Sequence, residues 1–294
     1  MRTNPLHSPG RSFIKEAAAS ALQTRSIRVD RLSGHLFRSY RLTTSAGFFY
    51  ILRSRPGHHV RLLRHEEGRL DIEAGALRAV GSRPDIVSVR LIDFHTNIIA
   101  IGSPYLISGP FAGSILSEVE PTLSRTSLAS IDRSLGQYVC RLASIQGIAF
   151  GPLQQNSSCH GSASWAKSFV KLLEVTLQDA EDLLISLPYA DVRALVRRHS
   201  TSLDMVTQPR LVLVEFYAGR NIVVDLNQNC VTGVLDFSTA FWGDPYLSDC
   251  FRKPTASFID GFGRLPTGNA DERIRQHVYV VSDLLYIQCS SLSL

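Results

Sequence analysis

The feature that most restricts the fold of this chain is a change, part-way along it, in the spacing of its apolar residues. In residues 36–42 and 47–52 they alternate in short, aromatic-rich runs, and from Leu128 onward they recur at helical spacing. Alternation distributes side chains over the two faces of a strand, whereas a three-and-four spacing gathers them along one face of a helix. Residues 36–42 and 47–52 therefore read as a hairpin turning at Ser45, Ala46 and Gly47. Residues 66–80 read as a helix with Leu70, Glu73, Leu77 and Val80 near one face, followed by strands at 87–94 and 98–101. A helix with Phe13, Ala17, Ala18 and Leu22 in phase precedes them.

Farther on, Leu128, Ile131, Leu135, Tyr138, Val139, Leu142 and Ile145 form one apolar stripe, and Trp165, Phe169, Leu172, Leu173, Ala180, Leu183, Leu184 and Leu187 form another. One compact β segment interrupts this helical half, at 211–215, 221–226 and 231–237, with Asn227, Gln228 and Asn229 as a turn. The order of periodicities predicts an α+β chain in two lobes, a small antiparallel-sheet lobe and a larger, mainly helical one. Residues 1–30 form a leading segment and helix, 31–108 the first lobe and 109–294 the second, with the β segment and its motif at 211–245.

Composition narrows the class of function. The chain has 294 residues, 44% hydrophobic and 19% charged, enough to bury a full core. The charge of +5 is dispersed, with no block of like charge and no interleaved aromatic residues, so a nucleic-acid partner is not expected. No apolar stretch approaches a membrane span, no leader is evident, and five scattered cysteines suit reduced thiols, so a cytoplasmic location is expected. Only four of the 31 basic residues are lysines, and none lies between Lys15 and Lys167.

The densest signal is Asn221-Ile-Val-Val-Asp225, then Gly233-Val-Leu-Asp236-Phe237 with its aspartate fifteen residues after Asn221, then Trp242-Gly243-Asp244-Pro245. An amide oxygen and a carboxylate are the hard ligands that magnesium takes, and phosphoryl transfer needs such an ion on the phosphate oxygens. In these residues the chain resembles the aminoglycoside phosphotransferase family of kinase-like enzymes, particularly its fungal small-molecule branch. The family pattern is His-x-Asp, four residues, Asn, then an Ile-Asp-Phe or Ile-Asp-Trp strand and a Gly-Asp-Pro turn. The resemblance runs from about Arg31 to about Tyr286 and takes in Ser103-Pro-Tyr-Leu, Phe150-Gly151 and Trp165. It implies a protein-kinase-like two-lobed fold, with Asn221 and Asp236 as metal ligands. Asp244 then serves to order the local backbone.

The chain also departs from that pattern. Aligned through Pro209-Arg-Leu-Val212, the histidine position holds Leu213 and the catalytic aspartate position holds Glu215; counted back from Asn221, the aspartate position is Phe216. Where the family carries a phosphate-gripping lysine, Tyr50-Ile-Leu-Arg53-Ser-Arg-Pro56 presents Arg53, which would pair with Glu73. The loop Leu32-Ser-Gly-His-Leu-Phe37 stands where a family member covers the phosphates.

Two readings follow. In the first, the protein is a phosphotransferase that uses ATP and Mg2+ on the hydroxyl of a small, largely apolar molecule, in natural-product biosynthesis. Asn221 and Asp236 hold the ion, Arg53 and Glu73 serve the nucleotide, and Glu215 and Asp236 are catalytic. In the second, the fold has been reassigned to bind an apolar intermediate, or to promote a step such as cyclisation, without a cofactor.

Overall fold

The computed structural model describes residues 10–32, 37–57, 60–83, 89–153, 161–216, 220–264 and 268–292. In chain order, helix α1 (Arg11–Leu22) is followed by strands β1 (Ile27–Leu32), β2 (Arg38–Thr44) and β3 (Phe49–Ser54). Then come α2 (Arg69–Gly81), β4 (Arg90–His95), β5 (Tyr105–Phe111), β6 (Ser114–Ile115), the single-turn α3 (Leu116–Val119) and α4 (Arg125–Ala143). Next are β7 (Gly151–Pro152), α5 (Trp165–Asp182), α6 (Tyr189–Arg198), α7 (Ser200–Asp204) and β8 (Arg210–Leu213). The chain closes with β9 (Ile222–Asp225), β10 (Cys230–Val234), β11 (Ala240–Gly243), α8 (Ala256–Phe262) and α9 (Ala270–Leu292). Two compact units result, one comprising Met1–Arg61, Leu70–Ile131 and Tyr217–Ser238, the other Leu62–Arg69, Asp132–Phe216 and Thr239–Leu294.

The first unit is built on a five-stranded antiparallel sheet in the order β1-β2-β3-β5-β4. The β2–β3 hairpin turns where expected, and Gly47 there adopts φ +82°, a conformation open to glycine. One face of the sheet is closed by α1, where Ile14 and Ala18 pack on Val29, Tyr40, Leu42, Leu52, Tyr105 and Ile107. Phe13, read from spacing as part of that stripe, is 46% exposed. The strand expected at 98–101 is a turn instead: Gly102 N–H donates to Ile98 O at 2.9 Å, and Ile98 and Ile99 are exposed. The reason is geometric, since His95 pairs with Tyr105 and the chain must reverse between them. The expected lobe boundary at Ser108 falls inside β5, where Ser108 pairs with Ile51 and Leu91.

A second, three-stranded sheet of this unit has the order β10-β9-β6. Asn229, with φ 49°, closes the tight turn between β9 and β10. Gly113 precedes β6 at φ +113°, and a Cβ there would lie 2.2 Å from Val224 O, so only glycine lets β6 approach β9.

The second unit is mainly helical. Trp165, Phe169, Leu173 and Leu177 of α5 meet Val278, Tyr279 and Leu285 of α9, with Val212, Phe241 and Leu247 completing the core. Ser164 caps α5, its hydroxyl accepting from Lys167 N–H at 3.1 Å. A small sheet, β7-β11-β8, lies against this core. The β segment read as one piece is therefore divided. A local turn pairs β10 with β9 in the first unit, whereas β8 finds its partner in β11 in the second. The described residues include no helix long and apolar enough to cross a membrane.

Candidate functional site

Arg53 lies near the end of β3, between Ser39 of β2 and Leu106 of β5, on the sheet face away from α1. A guanidinium that is 2% exposed is tolerated only if it is paired and hydrogen-bonded. Its Nη1 donates to Glu73 of α2 and to Asp236 Oδ1 at 3.2 Å, Nη2 to Leu235 O at 3.4 Å, and Nε to Ser39 Oγ at 3.4 Å. The expected Arg53–Glu73 pair is thus present, and Asp236 joins it. Glu73 is fully buried, and that burial, aided by the nearby Asp236 charge and opposed by Arg53, pushes its carboxyl up to about 7.

Asp236 lies two residues beyond β10. Its Oδ1 also accepts Ser238 N–H at 2.7 Å, and its side chain retains 18% exposure, so solutes reach it while Glu73 is sealed. Asn221 stands at the entry to β9, where its carbonyl accepts Leu235 N–H at 2.7 Å. The hairpin thereby returns the chain to Asn221 one residue before Asp236. The Asn221 side chain is buried, and its Oδ1 has no hydrogen-bond partner among the described residues. A buried amide oxygen left unpaired costs about 1–3 kcal/mol, and such an atom commonly marks a ligand position. Magnesium fits this donor set, since Asn221 and Asp236 supply hard oxygens. Among the described residues no group of three or more His, Cys, Asp or Glu is placed to hold a metal. An ion here would therefore draw its remaining oxygens from its own ligand and from water.

Glu215 belongs to the second unit and is 9% exposed. Its N–H donates to Thr239 Oγ1 at 3.2 Å, and Arg69 Nη2 lies 4.0 Å from its Oε1. Leu213 and Phe216, both buried, line a small apolar cavity with Leu142 and Pro245. Phe216 is anchored by its N–H, which donates to Asp249 Oδ1 at 2.9 Å. Burial pushes the Asp283 carboxyl up, and the Glu215 charge adds to this against the pull of Arg252. Arg69 and Asp283 carry no motif, and only the folded chain brings them to Glu215.

Asp244 has the backbone-ordering place expected for it. Its Oδ1 accepts Tyr246 N–H at 3.1 Å, and its Oδ2 accepts from Arg275 Nε at 3.0 Å and Tyr279 OH at 2.8 Å. Residues 33–36 of the loop read as a phosphate cover lie outside the described residues.

Residues 29–247 match the profile described as the phosphotransferase enzyme family, three-quarters of the chain. The chain belongs to this family. Solved structures show the same kinase-like fold. A protein assigned as a fructosamine-3-kinase from Thermobifida fusca superposes with a TM-score of 0.65 at 14% identity, covering 97% of each chain. One assigned as an aminoglycoside phosphotransferase from Ralstonia eutropha gives 0.64 at 12% identity, covering 96% of this chain and 89% of that one. The aminoglycoside phosphotransferase APH(4)-Ia, solved with AMP-PNP and hygromycin B, gives 0.55 at 16% identity over 95% and 97%. No curated protein sequence matches this chain. Identities this low speak for the family's fold and not for its substrates.

Proposed function

We propose that this protein transfers a phosphoryl group from ATP to a hydroxyl of a small, largely apolar molecule, within natural-product metabolism and in the cytosol. The observation that carries the proposal is the grouping in one unit of Arg53, Glu73 and Asp236 with the unpaired Oδ1 of Asn221. AMP-PNP bound to a protein of the same fold supports a nucleotide here. A magnesium ion, when bound, supplies charge neutralisation on the phosphate oxygens. Asn221 and Asp236 would hold it, Glu73 orients the Arg53 guanidinium, and Glu215 accepts or positions the substrate's hydroxyl proton. We read the departures at Leu213, Glu215 and Arg53 as an altered catalytic signature, and the motif from Asn221 to Pro245 as that of the fungal small-molecule branch. Since phosphoryl transfer depends mostly on positioning and electrostatics, such a site still supports it.

The second reading, an apolar intermediate bound or cyclised without a nucleotide, draws on Leu213 and Phe216. Both are buried and apolar on either side of Glu215. Candidate metabolites incubated with the protein, with and without ATP and magnesium, separate the two by product mass. A phosphate mass gained only with ATP supports phosphotransfer, and an isomer formed without ATP supports the alternative. Efficient phosphorylation of a polar aminosugar would remove the apolar-substrate claim.

A further inference from the structure

The short segment Leu62–Arg69 belongs with the helical unit, although the chain on either side of it belongs to the other. One buried carboxylate holds it there. Asp179 of α5 accepts the backbone N–H groups of Arg64 at 2.9 Å and His65 at 3.2 Å, the His65 ring Nδ1–H at 2.7 Å and Arg64 Nη1 at 3.3 Å. Burial alone would raise that carboxyl, yet the His65 ring and the two backbone N–H groups hold it below the usual carboxylate range, so the anchor stays charged. Glu66 closes the same turn, its Oε2 accepting Leu63 N–H at 2.8 Å. Four residues beyond His65, at the start of α2, Arg69 Nε donates to His65 O at 3.4 Å, and Arg69 Nη2 lies 4.0 Å from Glu215 Oε1.

The charges about Glu215 make that guanidinium matter. Leu213 and Phe216 beside it are buried and apolar, and Asp283 of α9, paired with Arg252 at 2.8 Å, presents a second carboxylate that repels it. Asp249, which accepts Phe216 N–H, adds a further acid nearby. A carboxylate accepts a proton only when it is ionised and aimed at the donor, and a cation about 4 Å away favours the ionised form. We propose that Arg69 is a positioning residue that fixes and orients the Glu215 carboxylate as a proton acceptor, and that the Asp179–His65 clip in turn fixes Arg69. This rests on the role given to Glu215 in the phosphotransferase reading above and adds to it the residues through which that carboxylate is held.

The test is the pH titration of the Glu215 carboxyl in the ligand-free full chain, followed by the carbon resonance of isotope-labelled glutamate and assigned by its loss in Glu215→Gln. Arg69→Gln, which keeps a donor without the charge, should raise the midpoint by about one pH unit or more. Arg69→Lys, which keeps the charge without the planar fork, should move it less. Asp179→Asn should raise the midpoint in the parent and add nothing in the Arg69→Gln background, because the clip acts through the guanidinium. Should Asp179→Asn not fold, His65→Leu, which removes one donor of the clip, takes its place in the same comparison. An unmoved midpoint in Arg69→Gln overturns the proposal and leaves the phosphotransferase reading intact. So does a clip variant whose shift is the same with and without Arg69. If Glu215→Gln phosphorylates a metabolite as fast as the parent, the role given to Glu215 falls, and the proposal with it, whatever the titration shows.

Discussion

Asp244 and Arg275 form an ion pair in the interior of the helical unit, Nε to Oδ2 at 3.0 Å, with the two residues 3% and 7% exposed. The same carboxylate oxygen accepts the Tyr279 hydroxyl, which in turn accepts the Trp165 indole N–H at 2.7 Å. Arg275 Nη1 reaches Ser202 O at 3.0 Å. One carboxylate thus joins the Gly-Asp-Pro turn, α9 and α5. Asp244→Ala would leave a buried guanidinium without its anion, a loss of about 3–5 kcal/mol. Denaturant unfolding of this variant should show that loss, and adding Arg275→Met should restore part of it. An additive double variant would mean that the two residues do not act as a pair.

Asp236 leads to a binding prediction. Heat-unfolding curves of the parent should rise with ATP and magnesium, because a ligand that binds only the folded chain stabilises it by mass action. Asp236→Ala should abolish that rise while the ligand-free protein remains folded. Equal protection of parent and variant would refute the metal assignment.

Glu73 makes stability depend on pH. Its carboxyl is raised from 4.5 to about 7, so between those values the folded chain keeps a proton that the unfolded chain has lost. Its contribution is therefore fully present below about 4.5 and is lost as pH rises through 7. Glu73→Gln, which cannot titrate, should flatten that part of the stability profile, as measured by urea midpoints at a series of pH values. An unchanged slope would show that other groups cause it.

A contact between helices supplies the last prediction. A Cβ on Gly136 of α4 would lie 2.1 Å from Phe258 O, and one on Gly261 of α8 would lie 1.9 Å from Arg133 O. Backbone carbonyls in helices do not rotate aside, so the two glycines set the helix separation. Gly136→Ala and Gly261→Ala should each destabilise by about 1–3 kcal/mol through overpacking. Gly81→Ala, with nothing within 4 Å, should be near neutral in the same calorimetric assay.

The sequence by itself determined whatever a short window of chain decides. The β2–β3 hairpin, the long helices α4 and α5 and the turn at 227–229 were legible because strand and helix periodicities are local. The Asn221–Asp236 spacing was legible too, since a hairpin returns the chain to a predictable neighbour. The lack of a lysine between Lys15 and Lys167 singled out Arg53, and a strand followed by a helix is enough to bring it to Glu73. Only the tertiary structure decided that α1 buries Ile14 in place of Phe13, and that residues 98–101 turn because His95 must meet Tyr105. It also sent β8 to one unit and β9 to the other, set Arg69 and Asp283 about Glu215, and made Gly136 and Gly261 indispensable. Each of these depends on a partner far away in sequence, and no local pattern of side chains encodes which distant surface a residue will meet.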